Sequence, residues 1–315
     1  MHNVPFCRLT LALCIGLAAP AIATAPPASA PFTAQVANDT LTLSHGSDRI
    51  AIDFVTPNTV RVHAMPHGRS SPVSVVIDPA AKLVALTDVK TSSQGAVTTL
   101  STAQASLRWD AANGSLQLAN AAGQVLLSQH DLDGLLVGRL VLDHDSSDPL
   151  YGVGGYNATE DAGAGMRRTD KQKITAGEQG HAGAPLVWST AGYGVLVDTQ
   201  GGNFNLADGH IATSGTSRKD LDYYLVVGSP KQILADVAKI SGHTPLFPKW
   251  AMGFTNSQWG IDEKELLTIV DNYRAKHIPI DNFTLDFDWK NWGNDWGEFS
   301  WNTTKFPDGP SGKLR

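Results

Sequence analysis

Apolar and polar residues alternate in short runs along the first two thirds of the chain. Between Gln35 and Val227 these runs are rich in Val, Ile, Leu and Thr, and turn residues separate them. They predict strands at 40–44, 50–55, 60–64, 74–77, 83–88, 96–101, 106–109, 115–119 and 124–129. Pro57-Asn58, Asp78-Pro79, Asn113-Gly114 and Ala122-Gly123 mark turns between them. The strongest hairpin signal is Asn113-Gly114, set between Leu107-Arg108-Trp109 and Leu116-Gln117-Leu118, because both residues tolerate the backbone of tight turns. Many short strands with regular turn punctuation indicate a β-sandwich.

Residues 157–185 interrupt the alternation with a polar, Gly-rich stretch. Strands resume at 186–190, 192–199 and 222–227. The apolar period then changes from two to that of a helix. Ser229 is placed to cap it, Pro230 suits its first turn, and Ile233, Leu234, Val237 and Ile240 form one face. Gly242 ends the helix. Pro245 and Pro248 stiffen a linker, which puts a domain boundary between 244 and 245.

The next segment has another rhythm. A buried strand is predicted at 251–255 and a helix after Asp262, with Glu265 completing a capping box. Leu266, Leu267, Val270 and Tyr273 line the helix's apolar face, and a second strand runs over 283–287. Strand, helix and strand in close succession imply a parallel βαβ unit with a right-handed crossover. Polar residues gather at the carboxyl ends of both strands, as on the active face of a (β/α)8 barrel. Such a barrel takes about 250 residues, and residues 250–315 amount to roughly a quarter of that. The expectation is therefore a β-sandwich over 30–244 followed by the start of a barrel over 245–315, with the sequence truncated inside it.

Length and charge narrow the function. The 315 residues suffice for more than one core, and the net charge of −6 argues against a nucleic-acid partner, which needs a basic face. Residues 1–25 read as an export signal: Arg8 precedes an apolar run over 9–23, and Ala21-Ile22-Ala23 offers small residues for cleavage. That run is too short to span a bilayer, and no other is longer, so a membrane partner is not expected. The expected location is the periplasm or the extracellular space. Both cysteines, Cys7 and Cys14, fall inside the signal. The mature chain then has no thiol, which excludes disulfides and zinc–thiolate sites. No histidine pair has metal-ligand spacing on a helix and no serine sits in a Gly-x-Ser-x-Gly elbow. Gly152-Val153-Gly154-Gly155 is followed by neither a helix pattern nor a lysine in place, so it is not a nucleotide loop. No cofactor is expected.

The candidate chemistry lies in residues 250–308. Asp286 and Asp288 are two apart at the end of the second predicted strand, which points both side chains the same way, about 6.6 Å apart. Glycoside hydrolases use two carboxylates, about 5–5.5 Å apart when retaining and about 6.5–9.5 Å when inverting. The plainer alternative is that one orients a sugar while the other caps a turn or pairs with Lys290. Trp259, Trp289, Trp292, Trp296 and Trp301 surround them. Indoles stack on sugar rings, and they also pack long loops. Trp259 and Trp289 follow strands directly and are the platform candidates, whereas the other three suit folding of the loop. In the Gly-rich stretch, Arg167, Arg168, Asp170, Glu178 and His181 are either solvated or part of a functional loop beside the second domain.

The chain resembles the N-terminal part of glycoside hydrolase family 31, the family of α-glucosidases and α-xylosidases. Five stretches carry the resemblance in order. They are Tyr151-Gly152-Val153-Gly154-Gly155, Gly192-Tyr193-Gly194-Val195, residues 222–230, residues 245–254, and Asp286-Phe287-Asp288-Trp289 with Phe299-Ser300-Trp301 and Phe306-Pro307-Asp308. The resemblance implies a galactose-mutarotase-like β-sandwich followed by a (β/α)8 TIM barrel. It implies retaining cleavage of α-glycosidic bonds by an aspartate nucleophile and an aspartate acid/base. Both come from later barrel strands, beyond residue 315, so this chain is expected to be inactive alone. By the same resemblance Asp286 matches the aspartate that binds sugar hydroxyls in the −1 subsite, and Asp288 has no catalytic counterpart. Asp170 falls near the aspartate of a loop that the sandwich reaches over the site, and His181 joins it as a substrate-contact candidate. The segment from Gly180 to Pro185 departs from the bulkier family pattern, which leaves α-glucosides, α-xylosides and α-galactosides all open. Transglycosylation and lyase chemistry on the same scaffold stay open too, as does the oligomeric state. A non-catalytic sugar-binding sandwich is the alternative reading.

Overall fold

The computed structural model describes residues 32–70, 74–81, 83–156, 171–174, 181–291 and 299–314. The chain divides after Gly242 into two compact units.

The first unit is built almost wholly from strands: β1 (Thr33–Ala37), β2 (Thr40–His45), β3 (Asp48–Thr56), β4 (Thr59–Met65), β5 (Lys90–Gln94), β6 (Val97–Ser101), β7 (Ala105–Asp110), β8 (Ser115–Asn120) and β9 (Val125–Gln129). A one-turn helix α1 (Leu132–Leu135) precedes β10 (Leu140–Asp143), β11 (Leu150–Tyr156), β12 (Lys171–Ile174), β13 (His181–Ser189), β14 (Tyr193–Val197), β15 (Gly202–Asn205), β16 (His210–Ser214) and β17 (Asp222–Val227). Helix α2 (Pro230–Ser241) closes the unit. One sheet runs β1-β2-β3-β4-β17-β14-β13-β11 and the other β12-β15-β16-β10-β9-β8-β7-β6-β5. The described pairings within both sheets are antiparallel. Apolar residues from both sheets, among them Ile52, Phe54, Val62, Leu107, Trp109 and Leu118, form one buried core, so the unit is a β-sandwich.

Alternation explains most strands, and its exceptions have reasons. In β3 and β4 buried and half-buried residues alternate, as expected when one face meets the core and the other is more open. Strands β14 and β17 are buried at every position because their outer face is covered as well. Helix α2 lies there. A Cβ on Gly194 would come within 2.5 Å of Ile233, so this glycine lets the helix sit close to the sheet. Ser229 caps α2 by accepting from Gln232 N, and Ile233 and Ile240 are buried, but Leu234 is half-exposed. The apolar face is therefore narrower than its sequence pattern.

The strands expected at 74–77 and 83–88 are not strands. Their amide groups bond elsewhere. Val75 N and Val76 N donate to the buried carboxylate of Asp198 at 3.1 and 3.2 Å, and Asp78 N donates to the Ile240 carbonyl at the end of α2. Val76, Ile77 and Leu83 pack on Leu196, Tyr224 and Ile240, whereas Leu86 packs on the sandwich core and its N donates to the Phe54 carbonyl. The Gly-rich stretch also differs from expectation, because it contains β12 and the first residues of β13. The Asn113-Gly114 signal does mark a hairpin, with Asp110 opposite Ser115 and a four-residue loop in which Gly114 takes φ +61°.

Charged residues cluster on the outer face of the first sheet. Arg61 donates to both carboxylate oxygens of Asp222, at 3.0 and 2.6 Å, and Asp222 is 1% exposed. Arg218 holds Asp198 and Asp220. Burial holds the Asp53 carboxyl above its ordinary range, against the opposing pull of Arg61. It likewise pushes the imidazoles of His63 and His144 below theirs.

Two outcomes follow from this packing. Replacing Arg61 with alanine strands a buried carboxylate, and denaturant unfolding should show a loss of about 3–5 kcal/mol. Protonation supplies the second. Below the ordinary histidine pKa the unfolded chain binds protons that buried His63 and His144 resist, so stability falls with pH until both titrate in the folded state. Thermal midpoints should therefore drop from neutral to mildly acid pH, and a variant lacking both imidazoles should show a flatter profile.

Candidate functional site

The second unit contains a short parallel sheet. Strand β18 (Thr255–Gln258) pairs in parallel with β19 (Asn282–Leu285), from Thr255 opposite Asn282 to Gln258 opposite Leu285. Helix α3 (Glu263–Ala275) connects them. Asp262 caps α3 by accepting from Glu265 N at 2.9 Å, as the sequence signal requires. Leu266 is buried with Ile261 and Phe306, but Leu267 is half-exposed. The strand expected at 251–255 is displaced. Residues Lys249–Met252 form a 3-10 turn, and the strand begins only at Thr255, with mostly exposed side chains.

The carboxyl ends of the two strands hold the polar candidates. Asp286 N donates to the Gln258 carbonyl at 3.0 Å, which extends the ladder one residue past β19. There the chain turns. Asp286 Oδ1 accepts from Phe287 N at 2.6 Å, and Trp289 N reaches the Asp286 carbonyl at 3.3 Å, so Phe287–Trp289 is a 3-10 turn capped by Asp286. Asp286 and Asp288 are thus not neighbours on one strand face. The cap bends the backbone between them, and the spacing argument for a carboxylate pair lapses. Asp288 lies inside the turn.

Trp259 leaves β18 directly beside this rim. It is 64% exposed, and its ring lies 5.8 Å from that of Phe287 at an interplanar angle of 30°. Phe287, also exposed, was not singled out by the sequence. Its place in an Asp-Phe-Asp-Trp run, immediately after a strand, was the available signal. The structure therefore brings together Asp286, Trp259 and Phe287. A carboxylate offers several acceptor positions, of which the Phe287 amide takes one. The arrangement can accept hydroxyl hydrogen bonds beside an apolar ring surface, which is the chemistry of sugar binding.

Trp289 is placed differently. It is half-buried, 4.9 Å from Trp301 in an edge-on contact, and both rings pack on the core of this unit. A Cβ on Gly309 would come within 2.4 Å of Trp301, so that glycine makes room for the ring. Trp289 also lines an apolar cleft of about 440 Å³ with Leu266, Val270, Phe283 and Leu285, and neither Asp286 nor Trp259 borders it. His181 opens β13 opposite Tyr156, in the first unit. Asp170, Arg167, Arg168, Glu178, Trp292 and Trp296 lie outside the described residues. Among the described residues, no group of three histidine, cysteine or acidic side chains is placed to hold a metal.

Residues 244–314 match the family model described as the glycosyl hydrolases family 31 TIM-barrel domain. A 1,6-alpha-glucosyltransferase of Sporosarcina globispora is 32% identical over 94% of this chain, and an alpha-xylosidase of Saccharolobus solfataricus is 27% identical over 83% of it. The chain spans 25% of the first relative and 38% of the second. A crystal structure of a GH31 alpha-xylosidase from a soil metagenome, complexed with xylose, superposes with a TM-score of 0.74 at 18% identity. That match covers 89% of this chain and 44% of the other, and it shows likeness of fold.

Exposure separates stability from binding at this rim. Trp259→Ala should change unfolding free energy by no more than about 0.5 kcal/mol. Asp262→Ala, which removes a helix cap, should cost about 1 kcal/mol. Chemical denaturation followed by tryptophan fluorescence reads both.

Proposed function

The chain belongs to glycoside hydrolase family 31, and from that membership we propose that it supplies the β-sandwich and the first βα unit of an exported, retaining α-glycoside hydrolase. The observation that carries this reading is the rim at the carboxyl ends of β18 and β19. There Asp286, Trp259 and Phe287 stand together just past the ends of two adjacent parallel strands. In barrels, that end of the strands is the active face.

In this reading Asp286 accepts hydrogen bonds from hydroxyls of the sugar whose glycosidic bond is cleaved. Charge-assisted bonds of this kind are short and directional, so they fix the ring against the reacting groups. Trp259 presents an apolar wall to the sugar's C–H face. The nucleophile and the acid/base belong to later barrel strands, beyond residue 315, and this unit positions the substrate for them. The relatives named above act on α-linked glucose or xylose units by their descriptions, and α-glucosides or α-xylosides are the substrates proposed here. Residues 1–25, outside the described region, would direct export.

Aryl α-glucoside and aryl α-xyloside assays test this directly. The 315-residue protein should show no turnover, and the same protein extended through a complete barrel should hydrolyse one of them with retention. In the extended protein, Asp286→Asn should lower kcat/KM by at least about tenfold, the equivalent of one lost charged hydrogen bond. Turnover by the 315-residue chain would contradict the assignment of the reacting pair. Sugar binding that survives deletion of residues 248–315 would favour the non-catalytic binding module instead.

A further inference from the structure

We propose that Asn113 is a site of spontaneous deamidation, which loosens the β7–β8 hairpin of the sandwich. This goes beyond the glycosidase reading and does not depend on it. Asn113-Gly114 is the sole Asn-Gly pair in the sequence. It stands at the tip of the loop that joins Asp110 to Ser115, and Asn113 is exposed. A side chain after asparagine ordinarily hinders approach of the next backbone nitrogen to the carboxamide. Gly114 has none, and even a Cβ built there would meet nothing within 4 Å. The site is therefore open to ring closure and to water.

The chemistry is balanced without any further reagent than water. The Gly114 nitrogen attacks Asn113 Cγ and gives up its proton, a new C–N bond forms, and the Cγ–Nδ2 bond breaks to release ammonia. Water then opens the resulting five-membered imide at either carbonyl. One opening gives aspartate, and the other gives isoaspartate, whose backbone runs through the former side chain.

The surroundings give this change a structural effect. Asn113 Nδ2 donates to Asp110 Oδ2 at 3.1 Å. The same Asp110 carboxylate accepts from Ala112 N at 3.0 Å and from Arg108 Nη2 at 2.9 Å, so it gathers the loop. Deamidation replaces the donor at 113 with a second carboxylate. The tie is lost and like charges face each other. The loop closes a hairpin whose flanking residues Trp109 and Leu116 are buried in the core, so a looser tip weakens strands that the sandwich relies on.

Ageing the folded 315-residue protein in mildly alkaline buffer, followed by peptide mapping and enzymatic isoaspartate detection, tests the proposal. Aspartate and isoaspartate should accumulate at 113 ahead of every other asparagine. Asn113→Gln, which disfavours the small ring, should abolish that signal. Asn113→Asp should lower the thermal midpoint relative to the parent. Two results would overturn the proposal: an intact Asn113 in folded protein that converts only when unfolded, or an Asn113→Asp midpoint equal to that of the parent.

Discussion

Close approach of helix α2 to the sandwich is the constraint on which the first unit depends. Strands β14 and β17 sit between the core on one side and α2 on the other, and every residue in them is buried. Two-sided burial makes polar side chains without partners costly. That is why the apolar run from Tyr193 to Val197 is unbroken, and why Gly194 faces Ile233. The charged residues on the same outer face are admitted only as a set. Asp222 has Arg61, Asp198 has Arg218 and two backbone amides, and the segment from Ser74 to Asp78 is held down by those bonds. Removing a cation there leaves a buried anion without its partner, which is costly.

The second unit follows a different rule. A parallel pair of strands needs a crossover, and α3 provides it with a cap from Asp262. The polar chemistry then collects where the strands end. Asp286 shows how closely structure and chemistry are tied at that point. Its backbone finishes the ladder, and one of its carboxylate oxygens caps the turn that follows. A sugar ligand would use a group already oriented by the turn, which lowers the cost of ordering it on binding.

Local signals were legible in the sequence where the stabilising contacts are themselves local. Ser229 and Asp262 were recognisable as caps because capping is decided within three residues. The hairpin at Asn113-Gly114 and the family resemblance of five ordered stretches were equally direct. Long-range choices were not legible. The apolar runs at 74–77 and 83–88 read as strands, yet Val75 N and Val76 N bond to Asp198, and Leu86 N bonds to the Phe54 carbonyl. Strand β5, Lys-Thr-Ser-Ser-Gln, has no apolar alternation because it is an exposed edge. Leu234 and Leu267 fit helical faces by period but are half-exposed, since the width of a buried face depends on what packs against it. At the site, the sequence places Asp286 and Trp259 after strands, and both lie directly past the ends of β19 and β18. The strand spacing assumed between Asp286 and Asp288 does not hold, because the chain turns at Asp286.

In the proposed function Asp286 and Trp259 form one sugar-binding wall. Indole NMR resonances of the 315-residue protein, titrated with methyl α-glucoside and methyl α-xyloside, test it most directly. Saturable movement of the Trp259 indole signal is expected with at least one of them, abolished in Asp286→Ala, while the Trp109 signal from the sandwich core stays fixed. A Trp259 signal that does not move with either sugar, or moves equally in the Asp286→Ala protein, would contradict it.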